Sequence, residues 1–357
     1  MAANDNPLIL VINPGSISTK IAVFSGSEKI EQETIVHPQE ELNAFHSLWN
    51  QFEYRIEAIE KFLTRVKIES PFDAIVGRGG ILKPLKRGTY LVNEEMIKDA
   101  RQGVRGAHVS NLGCALADRI ADRYNCEAYI VDPVSVDEFE PVARFSGHPA
   151  IQRRALSHSL NLRAAAFWAA KKLDINANES NFVVAHLGSG ISIAPIKNGR
   201  VIDVNDASSA GPFSPERTGG LPLIPFIDLC FSGNHSKSQM IEWVMSKGGL
   251  MAYLGTKDLK NVEEKIEQGD EKALNVFLAM AYQIAKEIGA MATVVNGAVK
   301  AIVLTGGLAN SNKLVTEITG RVMYIAPVFV FPGELEMEAM AEGILRIFRN
   351  EEAVKDY

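Results

Sequence analysis

Apolar runs in this chain are broken by short polar turns, and one such pattern occurs twice. Leu8–Ile12 is an apolar run that ends at polar Asn13. The small-residue turn Pro14-Gly15-Ser16-Ile17-Ser18-Thr19 and Lys20 follow, and a second apolar run, Ile21–Phe24, returns. This predicts strand, tight turn, strand, with residues 28–36 as a third strand. In residues 181–202 the run Phe182–Ala185 ends at His186, Gly188-Ser189-Gly190 turns, and Ile191–Ile196 returns. A shift of 173 positions carries Gly15-Ser16 onto Gly188-Ser189, Gly26 onto Gly199 and Asn13 onto His186. Internal duplication of this kind sets the architecture. It predicts two related α/β domains, each opening with a hairpin whose turn is built from Gly and Ser.

The remaining pattern fills in around these hairpins. Helical spacing of apolar residues runs through Glu40–Val66, and further helices are predicted at Glu94–Gly103, Ser110–Tyr124, Ser159–Leu173, Ser238–Lys247 and Val262–Val299. Strands are predicted at Phe72–Val76, Glu127–Val131, Ala301–Leu304 and Val328–Phe331, with a helix from about Lys313 and a last one opening at Glu334. Residues 133–158 and 203–222 read as long connections. The expected domains are 1–174, 175–333, and a C-terminal helix, 334–357, returning to the first domain.

Composition narrows the class. With 357 residues the chain is long enough for two domains of ordinary size. A net charge of −6 argues against a nucleic-acid binder, which needs a basic surplus. Cys114, Cys126 and Cys230 are scattered without a CxxC pair, so neither a disulfide framework nor a thiolate metal site is expected, and a reducing, cytoplasmic setting is. There is no apolar run long enough to cross a membrane and no secretory signal pattern, so no membrane partner is expected.

Candidate chemistry sits at the ends of the predicted strands. Turns of Gly, Ser and Thr present amides and hydroxyls to an anion, so Gly15, Ser16, Ser18, Thr19 and Lys20 form one candidate phosphate turn. Gly188, Ser189 and Gly190 form the second. Neither has Walker A spacing. Arg78 lies between glycines at a strand's carboxyl end, where ligands of α/β sheets gather, and offers a planar fork for carboxylate or phosphate. The stretch AIVGRGG at 74–80 is matched by AIVLTGG at 301–307, which makes Gly306 and Gly307 candidates for close approach to a nucleotide. Asp132 ends another strand and can hold Mg²⁺ or orient a substrate. His158, His186 and Arg217 are further candidates, Arg217 on the long loop 203–222.

Eight motifs in order, VINPGSISTK, VGRGG, VDPV, ALSHSLN, HLGSG, GPFSPERTGG, LTGGL and FPGELEMEA, span nearly the whole chain. Together they resemble the butyrate kinases of the acetate kinase family, within the actin, sugar kinase and chaperone ATPase superfamily. Pro14 and the form VGRGG, which lacks the second His of the acetate enzymes' HRxxHGG, favour the butyrate side. The resemblance implies two ribonuclease H-like domains with a nucleotide cleft between them, ATP and Mg²⁺ as cofactors, and a short-chain carboxylate as substrate. It implies that Asn13, Arg78, Asp132, His158, His186 and Arg217 act in the site. Gly306, Gly307 and Asn310 would serve the adenosine motif. Asp132 with Glu336, chosen from Glu334, Glu336 and Glu338, would serve the metal. It also implies a homo-oligomer. Isobutyrate, propionate and acetate remain alternative substrates, and an ATP-driven scaffold the alternative class.

Overall fold

The computed structural model describes residues 6–68, 71–208 and 210–357. They divide into two compact units, 1–137 with 335–357, and 138–334. In each, the central strands are buried along nearly their whole length, as strands covered on both faces are.

The first unit is built on β1 (Leu8–Pro14), β2 (Ser18–Ser25), β3 (Glu28–Val36), β4 (Ala74–Arg78), β5 (Thr89–Leu91) and β6 (Glu127–Val131). Among the described residues these form one sheet in the order β3-β2-β1-β4-β6-β5. β1 and β2 are an antiparallel hairpin, and β1, β4 and β6 run parallel. β1 and β4 are buried almost throughout, as strands covered on both faces must be. The helices are α1 (Gln39–Asn43), α2 (Phe52–Val66), α3 (Glu94–Gln102) and α4 (Leu112–Tyr124). Ile59, Phe62, Met96, Leu116 and Ile120 carry their apolar faces into the core with Leu10, Ile12 and Ile75. The helix expected over residues 40–66 is interrupted by non-helical backbone at residues 45–47 and a 3-10 turn, Leu48–Gln51. One packing detail sets the site. A Cβ on Gly77 would lie 2.1 Å from the Gly113 carbonyl oxygen, so only glycine lets β4 and α4 approach this closely.

The second unit uses β7 (Asn181–Leu187), β8 (Ile191–Lys197), β9 (Arg200–Val201), β10 (Ala301–Gly306) and β11 (Val328–Pro332). Their order is β11-β10-β7-β8-β9. Read from the other edge, this repeats β3-β2-β1-β4-β6 of the first sheet, strand for strand, so the duplication seen in the hairpins extends to the whole topology. The helices before the last strand pair are α5 (Ser159–Leu173), α6 (Leu223–Phe231), α7 (Lys237–Met245), α8 (Gly249–Leu254), α9 (Leu259–Glu267) and α10 (Glu271–Val294). α11 (Asn312–Val322) joins β10 to β11. Gly269 in the left-handed region and the N-cap Asp270 separate α9 from α10, where the sequence pattern suggested one helix.

The first domain boundary falls elsewhere than expected. Residues 138–174 belong to the second unit, because α5 packs on β7 and β10. α12 (Glu336–Phe348) packs on β1, β4 and β6 of the first unit. Among the described residues no helix is long and apolar enough to cross a membrane.

Candidate active site

In the first unit the parallel strands bring three sequence-distant residues to one edge. Asn13 is the penultimate residue of β1, Arg78 the last of β4, and Asp132 directly follows β6. The ladder register sets Ile12 beside Gly77 and Arg78 beside Val131, so the three share the carboxyl edge of the sheet. Glu336, the first residue of α12, is buried against them. Arg78 forks onto its carboxylate, with Nη2 2.8 Å from Oε1 and Nη1 2.9 Å from Oε2. Asn13 Nδ2 donates to the same Oε2 at 2.6 Å, and Arg78 Nη1 lies 3.4 Å from Asn13 Oδ1. Bidentate pairing of this kind is the strong form of the arginine–carboxylate contact. Both oxygens of Glu336 thus accept bonds from Asn13 and Arg78.

Asp132 is buried and adopts φ +39°, a left-handed conformation. Its amide donates to the Gly88 carbonyl at 3.0 Å, and its Oδ1 accepts from the Gly88 amide at 2.8 Å. This reciprocal pair locks the carboxylate at the strand tip. Burial works against the charge of Arg346, but Asp132, Glu352 and Glu342 outweigh it and hold its pKa above the ordinary value.

The first Gly-Ser turn joins β1 to β2. Gly15 donates to the Ser18 carbonyl at 2.7 Å, and Ser16 is exposed, while Ser18 and Lys20 are half-buried. Thr19 departs from expectation. It is fully buried, and its hydroxyl is shared by Arg55 Nη1 (3.0 Å) and His37 Nε2 (2.8 Å). Its side chain shapes the turn from inside and does not face an anion.

In the second unit β7 ends at His186-Leu187, and the turn Gly188-Ser189-Gly190 leads into β8. His158, at the N-cap of α5, stacks on His186 with ring centroids 4.1 Å apart and planes 25° from parallel. Its Nδ1 is 2.9 Å from Ser192 Oγ. Asn161 Nδ2 lies 3.4 Å from His186 Nδ1. The Asn161 amide nitrogen can only donate, so a bond there makes Nδ1 the acceptor of the ring. Nε2 in turn lies 3.1 Å from where a Cβ on Gly188 would stand, so it faces the turn.

Arg217 packs flat on the same turn. A Cβ on Gly190 would come within 2.4 Å of its Nη1. Nη1 donates to the Ala207 carbonyl at 3.1 Å, while the buried Nε has no hydrogen-bond partner among the described residues. Burial lowers its pKa, against the opposing pull of Glu216 and Asp206. The loop holding it is clamped. Ser214 donates its hydroxyl to the Ser189 carbonyl and accepts from the Arg217 amide. Gly248 and Gly249 pack so closely on Arg217, Thr218 and Ser214 that a Cβ at either would meet backbone under 3 Å away. Asn205 ties the loop to β8 through the Ile193 amide (2.6 Å) and the Ile191 carbonyl (2.8 Å).

At the end of β10, Gly306 has φ +92°, and a Cβ there would be 2.4 Å from the Leu187 carbonyl oxygen. Gly307–Asn310 is a 3-10 turn closed by Asn310 Nδ2 on the Gly307 carbonyl at 2.9 Å. The side-chain amide of Asn310 is therefore used within its own turn.

Sequence motifs did not flag Arg55, His37 or Ser192, which support the candidate residues from behind, and they held Asn161 only as the last residue of ALSHSLN, without a role. Nor did they flag His108, whose pKa is lowered by burial and by the nearby Arg78 charge. The only available signal for it was a His in a small-residue stretch, Gly106-Ala107-His108, before a helix.

A family model described as the acetokinase family matches residues 153–328. Over 350 residues the chain is 48% identical to probable butyrate kinase 2 of Caldanaerobacter subterraneus subsp. tengcongensis, covering 98% of this chain and 99% of that protein. The chain belongs to the acetokinase family. Solved structures agree on the acetokinase fold. Porphyromonas gingivalis acetate kinase superposes with a TM-score of 0.77 at 18% identity, covering 96% of this chain and 100% of that one. A propionate kinase from Francisella tularensis subsp. tularensis gives 0.76 at 17% identity, covering 94% and 98%. As an acetokinase-family chain with two sheets of matching topology, this protein carries two ribonuclease H-like halves.

Proposed function

We propose that the chain is an ATP-dependent carboxylate kinase, moving a phosphoryl group reversibly between ATP and butanoate to give butanoyl phosphate and ADP. The observation that carries this reading is the Arg78 fork, which already receives a carboxylate, that of Glu336, at the strand edge where ligands gather. The name of the 48% identical relative supports butanoate as the acid.

A carboxylate is ionised at neutral pH, so it attacks phosphorus without a general base. Its oxygen forms the new P–O bond as the bond from the γ-phosphorus to the β–γ bridging oxygen breaks, and ADP leaves with that electron pair. What the protein must supply is approach of two anions and compensation of charge on the transferring group. Arg78 holds the acid once Glu336 gives up the fork that it occupies here. Arg217 and the Nε2–H of His186 donate to the transferring phosphoryl, and His158 supports His186 by stacking. In the first unit the turn at Gly15–Ser18, with Lys20 contributing charge, serves phosphate; in the second unit the turn at Gly188–Gly190 serves phosphate and Gly306-Gly307 leaves room for a nucleoside.

Magnesium bound with a nucleotide needs only one or two protein carboxylates, the phosphates and water completing its shell. Among the described residues no group of three or more metal-ligating side chains occurs, which fits such a shared ion and not a protein cage. Asp132, locked at its strand tip, would hold it, directly or through water. Glu336 joins it only by releasing Arg78, because both of its oxygens are engaged. When bound, the ion neutralises the β- and γ-phosphates.

Hydroxylamine trapping tests the reading. Incubation with MgATP and unbranched or branched acids of two to five carbons should give hydroxamate, most from butanoate. No hydroxamate from any acid would refute it.

A further inference from the structure

Behind the first phosphate turn lies a cation that the proposed chemistry does not use. Arg55, on α2, is fully buried. All five of its N–H donors are matched. Nε and Nη2 reach Gln51 Oε1 at 3.2 and 3.0 Å, Nη1 reaches the Ser18 carbonyl and Thr19 Oγ1 at 3.0 Å each, and Nη2 also reaches the Ser16 carbonyl at 3.5 Å. Among the described residues no carboxylate pairs with it. Burial lowers its pKa to about 10, so it is charged at neutral pH. Burying a guanidinium without a counter-ion is costly, and an apolar side chain of similar volume would avoid that cost. The charge therefore calls for a role beyond filling space.

We propose that Arg55 is the positioning residue of the first phosphate turn, fixing its carbonyls inward so that its amides face the anion. The proposal rests on the reading of Gly15–Ser18 as a phosphate turn. Three successive carbonyls point toward the protein. Ser18 accepts from Arg55 at 3.0 Å and from the Gly15 amide at 2.7 Å, Ser16 has a longer contact with Arg55 at 3.5 Å, and Ile17 accepts from the His37 amide at 2.8 Å. In a trans peptide the C=O and the next N–H point opposite ways. Turning the Ser16 and Ile17 carbonyls inward thus turns the Ile17 and Ser18 N–H groups outward. Such a run of amides is an anion cradle, and a guanidinium behind it adds field of the correct sign. Thr19 completes the brace. Its hydroxyl accepts from Arg55 and shares a hydrogen bond of 2.8 Å with His37 Nε2, on a ring kept neutral because burial, and then the Arg55 charge, lower its pKa to about 4. Arg55 thus adds a brace and a buried charge to a turn whose backbone is also closed by the Gly15 and His37 amides.

The test uses the full chain with Arg55→Met, Arg55→Lys and a control, Phe62→Leu, which weakens the same helix's packing without touching the turn. Two readouts are needed: amide hydrogen exchange across Asn13–Lys20 without ligand, and equilibrium binding of MgATP. Losing a charge-assisted brace should weaken MgATP about 10- to 100-fold in Arg55→Met. Turn exchange should quicken by about tenfold or more as local opening becomes easier. Arg55→Lys keeps the charge but cannot hold both carbonyls, so its turn exchange should match Arg55→Met while its MgATP affinity falls less. Phe62→Leu should leave both readouts within about twofold of the parent despite a lower melting temperature. If Arg55→Met does not fold, turn exchange in Arg55→Lys decides the matter. Parent-like exchange and affinity in a folded Arg55 variant would overturn the proposal, as would equal losses in Phe62→Leu. If the parent itself fails to bind MgATP, the kinase reading falls, and the exchange readout alone decides whether Arg55 shapes the turn.

Discussion

Replacing Arg78 with Met should expose how much the Arg78–Glu336 pair holds in place. The side chains are 20% and 6% exposed and meet through two bonds of 2.8 and 2.9 Å. Charges about 4 Å apart at an effective dielectric near 20 attract by about 4 kcal/mol, most of which offsets the cost of taking them from water. Removing only the guanidinium strands a buried carboxylate, which in comparable cases costs about 3–5 kcal/mol. Asn13 keeps its bond to Oε2, so the lower end, about 3 kcal/mol, is expected in urea unfolding. In the double variant Arg78→Met with Glu336→Leu the stranded charge is gone, and stability should return to within about 1 kcal/mol of the parent. Acyl hydroxamate formation should behave differently. It should fall about a hundredfold or more in Arg78→Met and stay down in the double variant, because the fork for the acid is missing in both. A single variant with the parent's urea midpoint, or a double variant no more stable than the single, would refute this account of the pair.

Other expectations follow from single contacts. Gly190→Ala puts a methyl 2.4 Å from Arg217 Nη1, so turnover should drop about tenfold or more while the urea midpoint barely moves; unchanged kcat would show that Arg217 need not lie on the turn. Gly77→Ala drives a methyl into the Gly113 backbone carbonyl at 2.1 Å and should cost about 3 kcal/mol or more in unfolding, where a neutral result would refute the close β4–α4 approach. His37 has a folded pKa of about 4 against an ordinary 6.5, so the unfolded chain takes up its proton first. Its contribution is complete above about pH 6.5 and is lost as pH falls toward 4, by at most about 1.4 kcal/mol per pH unit. Urea midpoints at pH 7.5, 6 and 5 should therefore fall more steeply for the parent than for His37→Gln, and equal slopes would contradict the buried neutral ring.

The hairpins were legible because they are local. A strand, its Gly-Ser turn and the returning strand lie within 20 residues, and apolar runs broken by a small polar turn specify them. The repeat then disclosed the second sheet before any long-range contact was known. Asn13, Arg78 and Asp132 were legible as strand ends, and parallel pairing sets them side by side. Their pairing with Glu336 was not, because 258 residues separate Arg78 from Glu336 and no local pattern records the contact. The domain boundary was placed too late for a related reason. The repeated hairpin begins at residue 181, but α5, which precedes it, covers the sheet that the hairpin starts. α6 escaped notice because Leu-Ile-Pro-Phe-Ile has no helical period and none of the helix is buried. Thr19 looked like its neighbours in the turn. Only the alternation of β2, which points every second side chain inward, distinguishes it from Ser18.

The central claim is that a fatty acid's own oxygen takes the terminal phosphoryl of ATP. The most direct measurement is ³¹P NMR of the product formed from MgATP and butanoate labelled with ¹⁸O in both carboxyl oxygens. The account predicts butanoyl phosphate whose phosphorus shows the upfield isotope shift of a bridging ¹⁸O, with unlabelled ADP. ADP formed without acyl phosphate, or acyl phosphate lacking the bridging label, would contradict it.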